Sequence, residues 1–314
     1  MQRNNDLDFI RAVLIMLMIL IHIVSFGNTY PHLKAGILSF MMPTFLIITG
    51  YLVNIKKTSQ QMGKYLLCLF LPYAIMVTGF SMLSYFMPVR DGITELSINQ
   101  ICEKIFVTSI GPYWFIQTMI ICGALYYISF KGARTLTSRL FLFALLLLLA
   151  AQTPVLSKEA AAYYFMGVTI RQCKIDFGKM FRPTPLAPVL WALILLKEEE
   201  YGWGNIAVVC SCWCCICSMT WVRSLITRHK GITMTRQAEH TLLYIGRNTL
   251  PIYLFHPIFT MAAKFYHPLF GWDSTEIVFA LFTIALAIAG SIAIAKAMEK
   301  TKLAYLFGKS TMLR

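Results

Sequence analysis

The sequence predicts an all-α, polytopic integral membrane protein that folds as a single transmembrane domain over residues 1–314. Only 13% of its residues are charged, whereas a soluble domain carries about a quarter. Its mean hydropathy is +0.65, and apolar runs recur along the whole chain. A helix needs about 20 mostly apolar residues to cross the hydrocarbon core of a bilayer, so each long apolar run is a candidate span.

About ten apolar runs are candidate transmembrane helices, and the fifth to seventh of them are short. We expect these helices at residues 9–26, 36–54, 65–87, 112–130, 140–152, 160–171, 184–196, 203–222, 242–263 and 275–295. The first run also resembles a secretory signal, but acidic residues precede it and no small-residue cleavage site follows it. We therefore expect a retained first helix in a multi-pass protein.

Lysine and arginine residues are distributed unevenly over the predicted loops. With the N-terminus inside, about twenty of them fall on the inner side and about six on the outer side. This asymmetry predicts cytoplasmic termini and accounts for most of the net charge of +14. The inner basic loops would also attract an anionic ligand such as a coenzyme phosphate. Nucleic acid is not expected as a partner, because no soluble module carries a basic face with interleaved aromatic residues.

The first predicted helix carries Arg11 and His22 within an otherwise apolar run. Residues eleven apart lie on one helix face, roughly 16 Å from each other along the axis. Ionisable side chains at membrane depth are costly unless they face protein or water, so this face is expected to line a functional site. His22 is a candidate general base, and the alternative is a structural histidine bonded to a neighbouring helix. Asp8, three residues before Arg11, is the expected ion-pair partner of that arginine.

His256 lies at a similar predicted depth in the ninth run, between Tyr253 and Pro257. Two histidines at matched depth on helices of the same direction are expected to share one cavity. Pro257 removes a helix hydrogen bond at this level, which allows a kink or an opened backbone beside the histidine. A satisfied histidine at a kink is the alternative interpretation.

Three further features have structural as well as functional interpretations. Thr49 and Gly50 in the second run suit close helix packing, and Trp114 at the start of the fourth run is typical of an aromatic belt. The run Cys210–Cys217 resembles a metal cluster, but its spacing favours an apolar helix that uses cysteine as a small hydrophobic residue. No metal site is therefore expected.

Missing features exclude other classes of protein. The predicted spans contain no carboxylate apart from Asp8 and Glu276 at their ends, which disfavours a proton- or sodium-coupled transporter. No glycine-rich phosphate loop, HExxH helix or GxSxG elbow occurs in the sequence.

Five stretches occur in an order that is typical of one known family. They are Leu7-Asp8-Phe9-Ile10-Arg11 with His22, Phe45-Leu46-Ile47-Ile48-Thr49-Gly50-Tyr51-Leu52, Tyr113-Trp114-Phe115-Ile116, Tyr163-Tyr164-Phe165-Met166-Gly167, and Ile245-Gly246-Arg247-Asn248-Thr249-Leu250-Pro251-Ile252-Tyr253-Leu254-Phe255-His256-Pro257. Together they resemble the signatures of the acyltransferase family 3 membrane proteins. Two positions depart from the family pattern: Thr49 stands where serine is usual, and only Lys64 precedes the third helix, where the family has paired arginines.

The resemblance implies a multi-pass enzyme of the bacterial cytoplasmic membrane that transfers an acetyl or similar small acyl group to a hydroxyl of a cell-surface glycan. It implies acetyl-CoA as the acyl-donor co-substrate, no permanently bound cofactor, and a surface polysaccharide or lipid-linked glycan as the acceptor. His22 would be the general base, and Arg11 would hold the donor or orient His22. The residues expected to contact substrate or donor are Asp8, Thr49, Trp114, Tyr253 and His256.

Two other classes stay open on the sequence alone. A glycan or small-solute transporter or flippase would move unmodified substrate and would need no coenzyme. A structural or partner-binding membrane protein would need neither histidine. The resemblance favours the acyltransferase class, in which the acyl group passes either directly or through a covalent enzyme intermediate.

Overall fold

The computed structural model describes residues 4–87, 89, 91–197, 202–228 and 233–314, and it contains helices but no strands over these residues. The α-helices, in chain order, are α1 (Asn5–Ile21), α2 (Val24–Thr29), α3 (Pro31–Leu52), α4 (Ser59–Phe86), α5 (Ile98–Phe106), α6 (Trp114–Gly132), α7 (Leu136–Ala150), α8 (Lys158–Gln172), α9 (Phe177–Met180), α10 (Ala187–Lys197), α11 (Ile206–Arg228), α12 (Thr233–Arg247), α13 (Thr249–Tyr266) and α14 (Ile277–Lys300). Short 3₁₀ helices lie at Gly111–Tyr113, His267–Phe270 and Leu303–Phe307.

Five of the described helical segments are long and apolar enough to cross a membrane. They are α3, α4, Gly111–Gly132 with α6, α11 and α14. Helix α7 and the Ala187–Leu196 part of α10 are apolar but shorter. Each of the predicted runs contains a helix, which confirms the all-α class with candidate membrane spans. Ten spans and cytoplasmic termini stay predictions.

Two runs that were predicted as continuous helices are interrupted, so the predicted bounds are wrong there. The first run divides into α1 and α2, because His22 ends α1 and Ile23 has an extended backbone with φ −80° and ψ 106°. The ninth run divides into α12 and α13 at Asn248, two residues before Leu250 and three before Pro251. Proline suits the first turn of a helix, because the N–H that it lacks has no partner there.

The chain forms two compact units. The first unit contains α1, α2, α3 as far as Phe45, α9 to α14, and the last residues Thr311–Arg314. The second unit contains α3 from Leu46 onward, α4 to α8, and Lys302–Ser310. The single domain expected over residues 1–314 stays a prediction.

Helix α1 packs against five other helices of the first unit, namely α2, α11, α12, α13 and α14. Its buried apolar side chains include Leu14, Ile15 and Ile19. Helix α12 approaches α1 closely at Gly246, where a Cβ atom would lie 1.7 Å from the carbonyl oxygen of Asp8. Only glycine permits this contact, which places the end of α12 beside the start of α1.

In the second unit, α3 and α8 meet through a pair of glycines. A Cβ atom at Gly50 would lie 2.3 Å from the carbonyl oxygen of Tyr164, and one at Gly167 would lie 2.0 Å from that of Ile47. Small residues let the backbones of membrane helices approach closely. The prediction that Gly50 serves close helix packing is confirmed, and the same contact holds the segment that carries Thr49.

The cysteine run lies on α11 in the first unit. Cys212, Cys214, Cys215 and Cys217 are buried there, and all of the cysteines are free thiols. The Sγ atom of Cys212 lies 3.6 Å from the carbonyl oxygen of Phe40 on α3. This side of α11 therefore packs as an apolar helix face.

Asp273 stabilises the turn between α13 and α14. Its Oδ2 atom accepts a hydrogen bond of 2.9 Å from the backbone N–H of Phe279, and its Oδ1 atom accepts one of 2.7 Å from the hydroxyl of Thr275. These bonds favour the ionised carboxylate, chiefly through Phe279, and hold the pKa of Asp273 below its ordinary value. The turn fixes α14 against α13, the helix that carries His256.

Gly246→Ala is expected to destabilise the protein, because the added methyl group has no room between α12 and the backbone of α1. Overpacking costs about 1–3 kcal/mol or more, and a contact of 1.7 Å with a backbone oxygen belongs at the upper end of this range, above the roughly 1 kcal/mol that alanine gains over glycine within a helix. The thermal unfolding midpoint in detergent checks this. Gly79→Ala in α4 is the matched control, because nothing lies within 4 Å of its Cβ position, and it should not lower the midpoint. A wild-type midpoint for Gly246→Ala would contradict the close approach.

Asp273→Asn is expected to lower the thermal midpoint in a pH-dependent way. A carboxylate whose pKa is lowered by folding stabilises the native state above its unfolded-state pKa, and this stabilisation is lost as the pH falls through the lowered value. The difference between wild type and variant should therefore be constant above about pH 5 and shrink below about pH 4. A difference that persists unchanged at pH 3 would rule out this role.

Candidate active site

Five of the seven predicted site residues belong to the first unit, and they lie on two of its helices. Helix α1 carries Asp8 and Arg11 and ends at His22, while α13 carries Tyr253 and His256. Thr49 and Trp114 belong to the second unit, where both side chains are half-buried. The roles expected for Thr49 and Trp114 stay predictions.

The candidate site residues Arg11 and His22 of α1 both contact α13, as their shared helix face predicts. A guanidinium nitrogen of Arg11 donates a hydrogen bond to the hydroxyl of Thr249, at the start of α13. The ring of His22 contacts the ring of His256, two turns further along α13. Because the contacts occur in the same order along both helices, α1 and α13 run in the same direction.

The end of α1 determines how His22 is held. The backbone N–H of His22 donates to the carbonyl of Ile19, three residues back, which leaves the carbonyl of Met18 without that helix bond. The Nδ1 atom of His22 lies 2.6 Å from this Met18 oxygen. A carbonyl oxygen only accepts, so in the neutral ring the hydrogen is on Nδ1 and the lone pair is on Nε2. The half-buried ring of His22 therefore presents Nε2 as a base.

His256 is held by the same kind of bond. In a regular helix the carbonyl of Tyr253 would accept from residue 257, but Pro257 has no N–H. The Nδ1 atom of His256 lies 2.8 Å from this Tyr253 oxygen and takes the place of the missing donor. The neutral ring again carries its hydrogen on Nδ1 and its lone pair on Nε2. His256 is completely buried, with 0% of its surface exposed.

The two imidazoles form one pair. Their ring centroids are 5.2 Å apart, and their planes meet at 71° in an edge-to-face arrangement. The ring of Tyr253 also packs against His256, with centroids 5.9 Å apart. The pair thus offers a half-buried base backed by a second, fully buried neutral imidazole. Such an arrangement can take up the proton of a hydroxyl group, which is the first requirement for making that hydroxyl a nucleophile.

A second polar group lies at the start of α1. The buried carboxylate of Asp8 is 3.8 Å from Arg11 Nη1 and 3.6 Å from Arg247 Nε, so the predicted pairing of Asp8 with Arg11 is confirmed. The side chains of Arg11 and Arg247 are 24% and 30% exposed, whereas that of Asp8 is 7% exposed. Because two partly exposed arginines pair with one buried carboxylate, the accessible side of this cluster is positive. Such a surface suits an anionic ligand.

A neighbouring ionic cluster contains one arginine and two carboxylates, whereas the cluster at Asp8 contains one carboxylate and two arginines. Arg223 on α11 lies between the carboxylates of Asp6 and Glu239, and the distance from its Nη2 atom to Glu239 is 3.4 Å. These contacts tie α11 and α12 to the first turn of α1.

Sequence reasoning missed three residues at the junction of α12 and α13. Arg247 binds Asp8, Thr249 binds Arg11, and Asn248 accepts a hydrogen bond of 2.7 Å from the backbone N–H of Arg314. An Asn-Thr pair shortly before Pro251 is a helix-start signal that would have predicted the interruption. The partners of Arg247 and Thr249 carry no local signal, because α1 lies more than two hundred residues earlier in the chain.

A comparison with known families bears on what this site does. The family model for an acyltransferase domain, acyltransferase family 3, matches residues 4–296. No curated protein and no solved structure matches the chain. The matched segment includes both histidines and the helices that hold them. The chain therefore belongs to acyltransferase family 3, and it is a membrane acyltransferase with an acyl donor and an acyl acceptor as substrates.

Proposed function

We propose that this protein is an O-acyltransferase of the bacterial cytoplasmic membrane that transfers an acetyl or similar small acyl group from acyl-CoA to a hydroxyl of a cell-surface glycan, with His22 as the general base. The observation that carries this proposal is the hydrogen bond from His22 to the Met18 carbonyl, which leaves Nε2 as a proton acceptor. The family match supports the acyl-transfer chemistry. The glycan acceptor and the coenzyme donor rest on the resemblance of the sequence to that family.

The proposed reaction needs one proton to move twice. The Nε2 atom of His22 takes the proton of the acceptor hydroxyl while the hydroxyl oxygen forms a bond to the carbonyl carbon of the thioester. The carbon–sulfur bond then breaks, and the leaving thiolate takes the proton back from His22. The products are the acylated sugar and the free thiol of the coenzyme. While His22 holds the proton, the carbonyl of Met18 and the C-terminal end of α1 both stabilise its positive charge.

Arg11 is assigned to the donor rather than to the base. It lies roughly 16 Å from His22 along the helix axis, so it does not touch the imidazole. With Arg247 it forms the partly exposed cationic face over Asp8, which would bind the phosphates of a coenzyme. An elongated donor held at this end of α1 would extend along the helix toward His22. The bond from Arg11 to Thr249 keeps the guanidinium group in position for this contact.

His22→Ala is expected to reduce acetyl transfer to the acceptor by about 10²–10⁴-fold, because a general base contributes a factor of this size. Acetyl incorporation from labelled acetyl-CoA into surface polysaccharide, measured with membranes that contain the full-length protein, checks this. His32→Ala is the matched control, because that histidine is exposed at the start of α3 and should leave the rate unchanged. Unaltered transfer by a correctly folded His22→Ala protein would refute the proposed role of His22.

Acetyl-CoA is expected to raise the thermal unfolding midpoint of the wild-type protein in detergent. A ligand at 100 times its Kd stabilises the native state by about 2.7 kcal/mol. Arg11→Ala should lose most of this shift, whereas Arg228→Ala, at an exposed cation on α11, should keep it. Each shift is measured against the midpoint of the same variant without ligand, which removes the effect of unpairing Asp8. A transporter or flippase without acyl transfer would give no shift with acetyl-CoA.

A further inference from the structure

One buried polar atom of the histidine pair has no function in the reaction as proposed above. The Nε2 atom of His256 is closed to solvent and has no hydrogen-bond partner among the residues that the structure describes. The Nδ1 atom of the same ring is already used as the donor to Tyr253. In the neutral ring, Nε2 therefore carries a lone pair, and a buried hydrogen-bond acceptor without a donor is unfavourable. Such an atom points to a donor that is present only at one stage of the reaction.

The surroundings of His256 restrict where this donor comes from. Because the ring is completely buried, a substrate hydroxyl cannot reach Nε2 without displacing packed side chains. The neutral ring of His22, with its centroid 5.2 Å away, has its one N–H bonded to Met18. In the resting state the two neighbouring rings thus have two lone pairs and no available N–H group. His22 gains a second N–H when it takes up a proton.

Resting on the proposed role of His22 as the base, we propose that His256 is a positioning residue whose buried lone pair stabilises the protonated form of His22 during acyl transfer. The proton moves from the acceptor hydroxyl to Nε2 of His22, and the new N–H is shared between the substrate and the lone pair of His256, which accepts a hydrogen bond but no proton. When the thiolate takes the proton, His22 returns to its neutral form. His256 stays neutral throughout.

The geometry supports this assignment in two ways. A charged N–H group donates a stronger hydrogen bond than a neutral one, and the ring of His256, with its centroid 5.2 Å from that of His22, carries a buried acceptor without a partner in the described part of the chain. The attraction is strengthened in a buried site, where the effective dielectric constant is low. The bond to Tyr253 also prevents His256 from turning its N–H toward His22, since Pro257 leaves that carbonyl without another helix donor.

Three substitutions at position 256 separate this role from a structural one. His256→Gln keeps an acceptor oxygen at the distance of Nε2. His256→Asn keeps a short amide that reaches the Tyr253 carbonyl but not His22, and His256→Phe keeps the ring without any acceptor. With acetyl-CoA and acceptor glycan, the full-length Asn and Phe variants should lose about 10- to 100-fold in kcat, which is the effect of losing a hydrogen bond to a charged group. The KM values for both substrates should stay within about twofold, and Gln should recover most of the loss.

The controls distinguish failure of this inference from failure of the proposed function. Thr260→Val removes a hydroxyl that bonds the backbone of His256 and Pro257, so it loosens the same helix turn and should keep the wild-type kcat.

Wild-type kcat in the Asn and Phe variants would overturn the inference, while an inactive His22→Ala protein would still support the general base. A raised KM for the acceptor with unchanged kcat would make His256 a substrate-binding residue and would equally overturn it. If the loss of kcat in each variant equals the loss of folded protein measured by thermal unfolding, the role of His256 is structural and the inference is overturned. Activity in His22→Ala would refute the proposed function itself.

Discussion

The hydrogen bonds from His22 to the Met18 carbonyl and from His256 to the Tyr253 carbonyl are the interactions on which the site depends. A backbone carbonyl in an apolar environment has to be satisfied within the protein. In one case the end of α1 frees the carbonyl, and in the other Pro257 does. An imidazole satisfies each of them with Nδ1–H. Each bond therefore satisfies a backbone carbonyl and at the same time sets the tautomer of the ring. Because the hydrogen is on Nδ1, the lone pair is on Nε2, which can act as a base.

The position of α1 depends on contacts near its N-terminus. Gly246 lets the backbone of α12 reach that of Asp8, and the buried Asp8 carboxylate holds Arg11 and Arg247 on either side. The junction that follows is held at Asn248, whose side chain exchanges hydrogen bonds with the backbone of Arg314. Residues 312 and 313 in turn donate backbone N–H groups to the carboxylate of Glu299 at the end of α14. A cationic group and a base can be kept a fixed distance apart along one rigid helix, which a flexible loop would not achieve.

Local signals predicted much of the fold and part of the site. Apolar runs predicted helices because hydrophobicity over about 20 residues is a property of the segment itself. The pairing of Asp8 with Arg11 was predictable because residues three apart on a helix are neighbours. The interruption at Asn248 had a signal in Pro251, whereas the extended backbone at Ile23 had none that we recognise. The role of Gly50 was predictable as a tendency of small residues, but its partner on α8 was not.

The sequence by itself determined that this chain is helical and apolar and that Arg11 and His22 share a face of the first helix, because each of these depends on residues within a few turns of one another. Matched depth also predicted that His22 and His256 share one cavity, whereas the tertiary structure decided that their rings are in direct contact and that Arg11 meets Thr249. The partners in each contact are more than two hundred residues apart, and depth along a helix predicts neither the ring contact nor the bond between Arg11 and Thr249. Their contact follows from how α1 packs against α12 and α13, where a missing side chain at Gly246 and a buried carboxylate at Asp8 set the approach of the helices.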